Sequence, residues 1–389
     1  MRPPRVLMST GTPSMIRLFN MRNIAILLSL GCDVAVATNL RNDDVVGSAA
    51  LRELGRDLKA MGVARHHVSF ERRTGTVQGA VRVVRELREL QRRERFDVLH
   101  THQPAASVLA RVALAGKMSR VLYTAHGFQF FQGGPRRDWL AFFPIEAGLS
   151  RRTDVLFTIN SEDANLARRR MHPQRVVQIP GVGIDWKSFQ AETQRAALDQ
   201  LRRELGIPPG ADVVLSIGEL TRRKNHATVI RALARLEGVG AHFVVCGTGP
   251  EQENLKMLAT ELGLSDRVTL AGFRSDIRPF LALADVAVFP SLREGLGMFG
   301  LEAMAAGLPL IASDLSGPRE YMDGGESGCL LRDPLDPDEL ARGIAQLLAV
   351  KPSERAQIAD HNRTLAAKFD NEATDRIMRA EYQRVLASL

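Results

Sequence analysis

Residues 286–302 have the sequence VAVFPSLREGLGMFGLE, in which a short apolar run is followed by a glycine-containing loop and the start of a helix. An apolar run of this length, bounded by proline and glycine, is typical of a strand buried on both faces of a parallel sheet. Strand, loop and helix in this order form the repeating unit of α/β domains. The segment therefore predicts a doubly wound parallel sheet.

Two glutamates in this segment are candidates for binding a ligand. Glu294 falls in the predicted loop and Glu302 about a turn inside the helix, so both could address one ligand. The amides of Gly297, Met298 and Phe299 stand at the helix N-terminus, which suits a phosphate, and glycine permits close backbone approach. On the residues alone, a capping glutamate and an unrelated surface glutamate remain the alternative.

The same alternation of strands and helices extends along the chain in both directions. We expect strands at Arg5–Ser9, Asp33–Ala37, Asp97–Thr101, Arg120–Thr124, Asp154–Ile159, Arg175–Ile179, Val213–Ile217, His242–Cys246, Arg267–Ala271, Val286–Phe289 and Leu310–Ala312, with no convincing strand afterwards. The pattern is interrupted between residues 180 and 210. We predict two Rossmann-like domains, residues 1–187 and 188–370, facing each other across a cleft, and a C-terminal helix at 371–389 that could pack back on the first domain.

Composition is that of an ordinary globular protein, with 45% hydrophobic and 25% charged residues in 389. The three cysteines, Cys32, Cys246 and Cys329, are far apart and form no CxxC pair, so neither a disulfide framework nor a structural zinc site is expected. The chain shows no signal-peptide pattern and no apolar stretch long enough to span a membrane. These features predict a cytoplasmic location.

Basic residues are concentrated in the first half of the chain. Residues 1–190 hold 29 Lys and Arg against 16 Asp and Glu, and the remaining residues hold 23 against 28. An anionic partner such as the inner membrane leaflet, met by the arginine-rich helix predicted at 82–95, is one interpretation, and a solvated basic surface is the other. No aromatic platform or recognised motif supports nucleic-acid binding.

Two further loops follow predicted strands in the second half. In SIGELTRRKN, residues 216–225, the cations Arg222, Arg223 and Lys224 could neutralise a diphosphate or could simply be solvated. The stretch CGTGPE at 246–251 is a tight turn rather than a dinucleotide-binding fingerprint.

Histidines and a small loop stand at strand ends in the first half. His126 belongs to TAHGF, and His100 and His102 belong to LHTHQ. The two histidines of LHTHQ could suggest a metal site, but no third ligand has suitable spacing, and we expect no metal. Gly11 and Thr12, in STGTPS, lie in a loop that could approach a ligand or be a plain turn.

One apparent metal motif has a structural explanation. Asp336 and Asp338 form a DxD pattern, but Pro337 and the acidic residues beside them are typical of a helix N-terminus. We therefore expect a helix to begin there.

Together, EGLGMFGLE at 294–302, SIGEL with Lys224 and Asn225 after it, and TAHGF resemble the retaining glycosyltransferases of the GT-B fold with a Glu-x7-Glu motif (family 4, glycosyl transferases group 1). The resemblance covers nearly the whole chain. Within the family, TAHGF and GVGID at 181–185 are most similar to enzymes of capsule and exopolysaccharide biosynthesis.

The resemblance implies a role for each matching residue of the second domain. Glu294 would hydrogen-bond hydroxyls of the donor sugar, and Glu302 would hold the ribose hydroxyls of the nucleotide. Lys224 would neutralise the donor diphosphate together with the amides of residues 297–299. The family usually has an arginine where this chain has Glu219, and Arg223, or as the weaker alternative Arg222, would compensate.

Further roles follow from the resemblance. His126 would approach the donor sugar from the first domain, which would bind the acceptor, and Arg274 would lie where the base is recognised. Gly11 and Thr12 would contribute to donor binding.

The implied activity is transfer of a sugar, with retention of configuration and without a metal or other cofactor. The donor would be a nucleotide-diphosphate sugar, UDP-linked by family expectation, and the acceptor a polyprenyl-diphosphate-linked or other saccharide at the inner membrane surface. A nucleotide-sugar 2-epimerase of the same fold and a non-catalytic nucleotide-sugar-binding subunit are the alternatives.

Overall fold

The computed structural model of the chain describes residues 2–41, 47–71, 75–190, 193–236 and 238–389. It divides into two compact units, Met1–Gly183 with Glu372–Leu389, and Ile184–Asn371. The first unit thus ends at Gly183, whereas the sequence prediction put the boundary at residue 187. Within those ranges, no helix has the length and apolar character needed to cross a membrane.

The first unit contains a parallel sheet of seven strands in the order β3-β2-β1-β4-β5-β6-β7. The strands are β1 Arg5–Ser9, β2 Asp33–Thr38, β3 Ala64–His67, β4 Val98–His102, β5 Arg120–Ala125, β6 Val155–Thr158 and β7 Arg175–Gln178. Its helices are α1 Pro13–Phe19, α2 Met21–Ser29, α3 Gly47–Ala60, α4 Val77–Glu94, α5 Pro104–Leu114, α6 Arg136–Ser150, α7 Ser161–Arg170 and, at the end of the chain, α15 Asn371–Leu386.

Central strands of this sheet are buried on both faces. Val6, Leu7 and Met8 of β1 are all completely buried, as expected for a parallel sheet covered by helices on both sides. Strand β3, which has the sequence ARHH, was not predicted. It lies at the sheet edge and is half-exposed, so it carries no apolar run.

The second unit contains a parallel sheet of six strands in the order β10-β9-β8-β11-β12-β13. The strands are β8 Asp212–Ile217, β9 Ala241–Cys246, β10 Val268–Gly272, β11 Val286–Phe289, β12 Leu310–Ser313 and β13 Gly328–Leu331. Its helices are α8 Arg195–Glu204, α9 His226–Leu233, α10 Gln252–Glu261, α11 Arg278–Leu283, α12 Met298–Ala306, α13 Pro337–Leu348 and α14 Pro352–Ala367. The α/β fold with two doubly wound, Rossmann-like units is confirmed.

Strand β13 corrects the prediction that no strand follows residue 312. It pairs in parallel with β12, with Gly328 opposite Leu310. A Cβ on Gly328 would lie 2.0 Å from the carbonyl oxygen of Leu310, and this glycine has a φ of +139°. The close approach of β12 and β13 therefore requires glycine at the first residue of β13. The strand has only four residues, GCLL, which are too few to show the apolar pattern of a strand.

Helix α15 packs within the first unit through polar contacts. Asp375 forms an ion pair with Arg22 at 2.6 Å, and Glu381 forms one with Arg175 at 2.9 Å. The Tyr382 hydroxyl lies 2.8 Å from Nδ1 of His100 in β4. The C-terminal helix therefore reaches the strand that carries two of the candidate histidines.

The DxD pattern is a helix start, as predicted. Asp336 caps α13, and its Oδ1 accepts a hydrogen bond of 2.8 Å from the amide of Asp338.

Candidate functional site

The candidate residues of the second unit lie in loops at the carboxyl ends of its strands. The loop after β8 carries Arg223 and Lys224, and the loop after β11 carries Glu294 and leads into α12. Strands β8 and β11 are hydrogen-bonded neighbours in the sheet. Parallel strands end at one common edge, so these two loops emerge side by side where α/β sheets bind ligands.

Two cations meet one carboxylate oxygen in this place. The Lys224 Nζ lies 2.8 Å from Oε1 of Glu294, and Nη1 of Arg223 lies 2.7 Å from the same atom. The side chains of Lys224 and Glu294 are only 13% and 10% exposed, whereas that of Arg223 is 45% exposed. Two positive charges against one negative charge leave an excess of positive charge, which suits an anionic ligand.

Glu302, in the first half of α12, is the second glutamate of the motif. Burial raises the pKa of its carboxyl to about 7, and the charge of Lys224 acts in the opposite direction. In the part of the chain that the structure describes, no donor hydrogen-bonds to Glu302. A carboxylate without a protein donor can accept hydrogen bonds from the hydroxyls of a ligand.

Helix α12 begins at a position that only glycine fits. Gly297 caps the helix with a φ of +89°, and a Cβ there would lie 2.4 Å from Cε1 of Phe289. A Cβ on Gly300 would lie 2.2 Å from the hydroxyl of Tyr321. The glycines therefore have a packing role, while the amides of Met298 and Phe299 lie in the first turn, where an α-helix offers no acceptor of its own.

Tyr321 is a site residue that the sequence analysis missed. Its side chain is 3% exposed, and its hydroxyl donates a hydrogen bond of 3.1 Å to the carbonyl of Gly297. Burial, with the nearby Glu294 and Glu302 charges, holds its pKa well above the usual value of 10. It stands in a loop after a short 3-10 helix, and nothing in its sequence surroundings indicates this position.

The CGTGPE segment supports the lysine loop. The Leu220 amide donates to the carbonyl of Thr248 at 2.9 Å, and the Glu251 amide donates to the carbonyl of Leu220 at 3.0 Å. A Cβ on Gly247 would lie 1.9 Å from the carbonyl oxygen of Gly218. The two loops are packed backbone to backbone, which requires glycine at this contact.

Not every predicted cation joins the cluster. Arg222 is highly exposed and its Nε lies 3.4 Å from Glu251, so Arg223 is the arginine of this loop that contacts Glu294. Arg274 is exposed, donates to the carbonyl of Ala271 at 3.0 Å and lies over the ring of Phe280. It stands at the end of β10, apart from the glutamate cluster.

The first unit brings its candidate histidines into direct contact. Nδ1 of His102 lies 3.2 Å from Nε2 of His126, and Nε2 of His102 lies 3.2 Å from the sulfur of Met8. Burial lowers the pKa of His126 to about 4 and that of His102 well below its ordinary value. Both imidazoles are therefore neutral near pH 7, and their hydrogen bond fixes the orientation of His126.

His100 has protein partners on both ring nitrogens. Nδ1 contacts the hydroxyl of Tyr382 and Nε2 contacts the hydroxyl of Thr124, each at 2.8 Å. Burial lowers its pKa to about 3. These contacts explain the buried position of His100 by hydrogen bonds within the protein, without a role as a metal ligand.

Gly11 and Thr12 lie together with Gln103, a second residue without an assigned role in the sequence analysis. The Gly11 amide donates to Oε1 of Gln103 at 2.7 Å, and Nε2 of Gln103 lies 3.4 Å from the hydroxyl of Thr12. Gln103 has a φ of +67° and a ψ of 134°, a backbone conformation that residues other than glycine rarely adopt. Strain of this kind is concentrated at functional sites.

Comparisons with known proteins identify the class. Residues 198–364 match the family described as Glycosyl transferases group 1, and residues 19–181 match the Glycosyl transferase 4-like domain. EpsD of Bacillus subtilis strain 168, named as a glycosyltransferase, is 37% identical over 302 residues, which cover 75% of this chain and 77% of EpsD. The chain belongs to the group 1 glycosyltransferases.

Other similar proteins are also named as glycosyltransferases. The lipopolysaccharide core biosynthesis glycosyltransferase LpsE of Rhizobium meliloti strain 1021 is 32% identical, with 78% of this chain and 79% of LpsE covered. UDP-Gal:alpha-D-GlcNAc-diphosphoundecaprenol alpha-1,3-galactosyltransferase of Escherichia coli is 29% identical, with 62% and 63% covered.

Among solved structures, that of Anabaena HepE in complex with UDP and glucose has a TM-score of 0.75 at 20% identity, with 99% of this chain and 100% of HepE covered. Its fold, GT-B, is the fold expected from the sequence.

Proposed function

We propose that the protein transfers a sugar from a UDP-sugar to a lipid-linked or saccharide acceptor in cell-surface polysaccharide assembly, with retention of configuration. One observation carries the proposal: Arg223 and Lys224 converge on Glu294 beside the half-buried, unbonded carboxyl of Glu302. The UDP-linked donor and the diphosphoundecaprenol acceptor are proposed by analogy with the Escherichia coli relative, whose name contains both.

The cations explain departure of the leaving group. Breaking the bond from sugar to phosphate develops negative charge on the diphosphate, and fixed donors that face this charge stabilise the transition state. Lys224, Arg223 and the first amides of α12 are the groups we assign to this task. Since these cations are supplied by the protein, the proposed reaction needs no metal.

The two glutamates are assigned to different parts of the donor. We assign Glu302 to the ribose hydroxyls, because its carboxyl lacks a donor from the protein. We assign Glu294 to the donor sugar, because the diphosphate that draws Lys224 and Arg223 toward itself would free its Oε1. A carboxylate held there would also favour the positive charge that develops on the sugar ring.

His126 is the catalytic residue that we assign in the first unit. Its neutral imidazole, held by His102, can hydrogen-bond a sugar hydroxyl without adding charge near the developing oxocarbenium ion. In the step we propose, the acceptor hydroxyl attacks the face of the sugar from which the diphosphate departs, within an ion pair, and gives its proton to that diphosphate, so the configuration is retained.

We propose that the acceptor lies in an anionic membrane, which the first unit would contact. Helix α4 presents exposed arginines, among them Arg82 and Arg85, on a unit with a large excess of basic residues. Sedimentation with anionic vesicles at moderate salt tests this point, and a protein that stays in the supernatant contradicts it.

A panel of nucleotide sugars tests the function. Thermal unfolding and calorimetry are measured with UDP-, GDP- and ADP-sugars, each with and without EDTA, because a ligand that binds the native state raises Tm. We expect stabilisation by one UDP-sugar, unchanged by EDTA, and transfer of its sugar with retained configuration to a prenyl-diphosphate-linked acceptor. Stabilisation by none of these donors would overturn the proposal, and stabilisation lost in EDTA would overturn metal independence.

A further inference from the structure

A groove outside the residues assigned so far lies in the first unit, between α4, α5 and α6. It has a volume of about 550 Å³ and is lined by apolar side chains that include Ala80 and Val83 of α4, Ala105 and Leu109 of α5, and Phe142 and Ile145 of α6. That volume is within the range of small-molecule sites in proteins. We call it the α4–α6 groove.

The polar side chains that line the α4–α6 groove are already engaged within the protein. Glu71 accepts from the amide of Thr76 at 3.0 Å, and the Thr76 hydroxyl accepts from the amide of Gly79 at 3.0 Å. Glu146 accepts from Arg111 at 2.6 Å, and Gln129 also has a partner. The walls between these groups are apolar, and a hydrocarbon chain covers such walls without losing hydrogen bonds to water.

The surroundings of the groove match an anionic amphiphile. Ile145 lines it and is 46% exposed, and α4 exposes Val77 and Val81 by 82% and 54%. Arg136 and Arg137, the first residues of α6, are exposed, and residues 1–190 carry 29 basic against 16 acidic side chains. An apolar channel on a basic unit is complementary to a hydrocarbon chain that ends in a diphosphate.

We infer that the α4–α6 groove binds the first isoprene units of a prenyl-diphosphate-linked acceptor. The inference rests on the proposed function, because it names the part of the acceptor that the groove would hold. It places recognition of the lipid in the first unit, separate from the donor residues of the second.

Farnesyl diphosphate, a soluble short-chain probe, tests the groove. Binding to the full chain is measured by calorimetry and compared with inorganic diphosphate. Ala105→Trp places a large side chain in the groove from an exposed position, and Ile145→Ser removes an apolar wall. We expect at least tenfold weaker binding of the probe in Ala105→Trp and several-fold weaker binding in Ile145→Ser.

Matched controls lie on the same helices. Val112→Trp on α5 and Leu140→Ser on α6 change exposed residues that do not line the groove, and we expect the affinity of farnesyl diphosphate to stay within twofold. Equal affinity for farnesyl diphosphate and inorganic diphosphate would overturn the inference. So would equal losses in the groove variants and their controls, or equally tight binding of a lysophospholipid.

UDP-sugar binding on the same samples separates this inference from the proposed function. If a UDP-sugar stabilises the protein but farnesyl diphosphate binds no better than inorganic diphosphate, the groove assignment alone fails. If no nucleotide sugar binds while the groove variants still weaken farnesyl diphosphate, the proposed function fails and the groove stands as a prenyl site.

Discussion

Lys224 lies 2.8 Å from Glu294 and is also the charged group that opposes the raised pKa of Glu302. One ammonium therefore acts on both glutamates of the Glu-x7-Glu motif. It is held in position by a 4.8 Å contact with the ring of Phe289 and by Gly218, where a Cβ would lie 3.1 Å from Cε of the lysine. These contacts hold the ammonium of Lys224 close to both glutamates, where a diphosphate would compete with Glu294 for it.

Replacing Lys224 tests the assignment to the diphosphate. We expect Lys224→Met to weaken UDP-sugar binding by about 10- to 100-fold, because a lost hydrogen bond to a charged group costs roughly 1.5 to 3 kcal/mol. Calorimetry of the donor measures the change. Lys256→Met is the control, since Lys256 pairs with Glu253 at 2.9 Å on an exposed face of α10. Donor binding that is equally strong in both variants would contradict the role.

The carboxyl of Glu302 predicts a pH dependence of donor binding. With a pKa of about 7 in the free protein, it is mostly protonated at pH 6 and mostly ionised at pH 8. If the carboxylate accepts hydrogen bonds from ribose hydroxyls, UDP-sugar affinity rises between these pH values. Glu302→Gln should bind the donor more weakly at pH 8 and show a flatter profile. An unchanged profile in the variant would assign the titration to another group.

The same group predicts a pH dependence of stability. The pKa of Glu302 rises from 4.5 to about 7 on folding, so the native state holds a proton that the unfolded state releases. The contribution of Glu302 to the free energy of unfolding is fully present below pH 4.5 and is lost as the pH rises through 7. Glu302→Gln should therefore gain stability relative to wild type as pH increases from 5 to 8, by roughly 2 to 3 kcal/mol. Urea unfolding at the two pH values measures it, and a constant difference would contradict the raised pKa.

The buried central strands were predictable because they are apolar on both faces. Strand β3 and strand β13 were not, since ARHH is an edge segment and GCLL depends on a glycine contact with Leu310. The motif glutamates and Lys224 were found from their places after strands. Tyr321 and Gln103 were not, because their roles come from tertiary contacts, to Gly297 and Gly11, that carry no local pattern.

His102 is predicted to position His126. Its 3.2 Å contact with Nε2 of His126 orients the imidazole without contact to the sugar. We expect His126→Ala to reduce mainly kcat, and His102→Phe to reduce kcat about tenfold while the donor Kd stays within twofold. His102→Asn, which can present an amide near the same position, should recover part of the loss. Loss of donor affinity in His102→Phe, or no recovery in His102→Asn, would indicate a merely structural role.

The buried ion pair between Arg111 and Glu146 predicts a large effect on stability. Both side chains are almost completely buried, their nearest atoms are 2.6 Å apart, and the guanidinium lies over the ring of Tyr123. Arg111→Met leaves the Glu146 charge without its partner, and breaking a buried pair typically costs about 3 to 5 kcal/mol. Replacing both residues, as Arg111→Met with Glu146→Leu, should recover most of that loss.

With a single tryptophan as fluorescent reporter, the stabilities of the Arg111 and Glu146 variants can be compared for the first unit alone. The chain has two tryptophans, so Trp186→Phe leaves Trp139 of α6 to report urea unfolding of that unit. Arg137→Met is the control, because Arg137 is 86% exposed and lies 3.6 Å from Asp138, and it should change stability by less than about 0.5 kcal/mol. If Arg111→Met destabilised no more than Arg137→Met, or if the double replacement were no more stable than the single one, the pair would not act as an isolated buried charge pair.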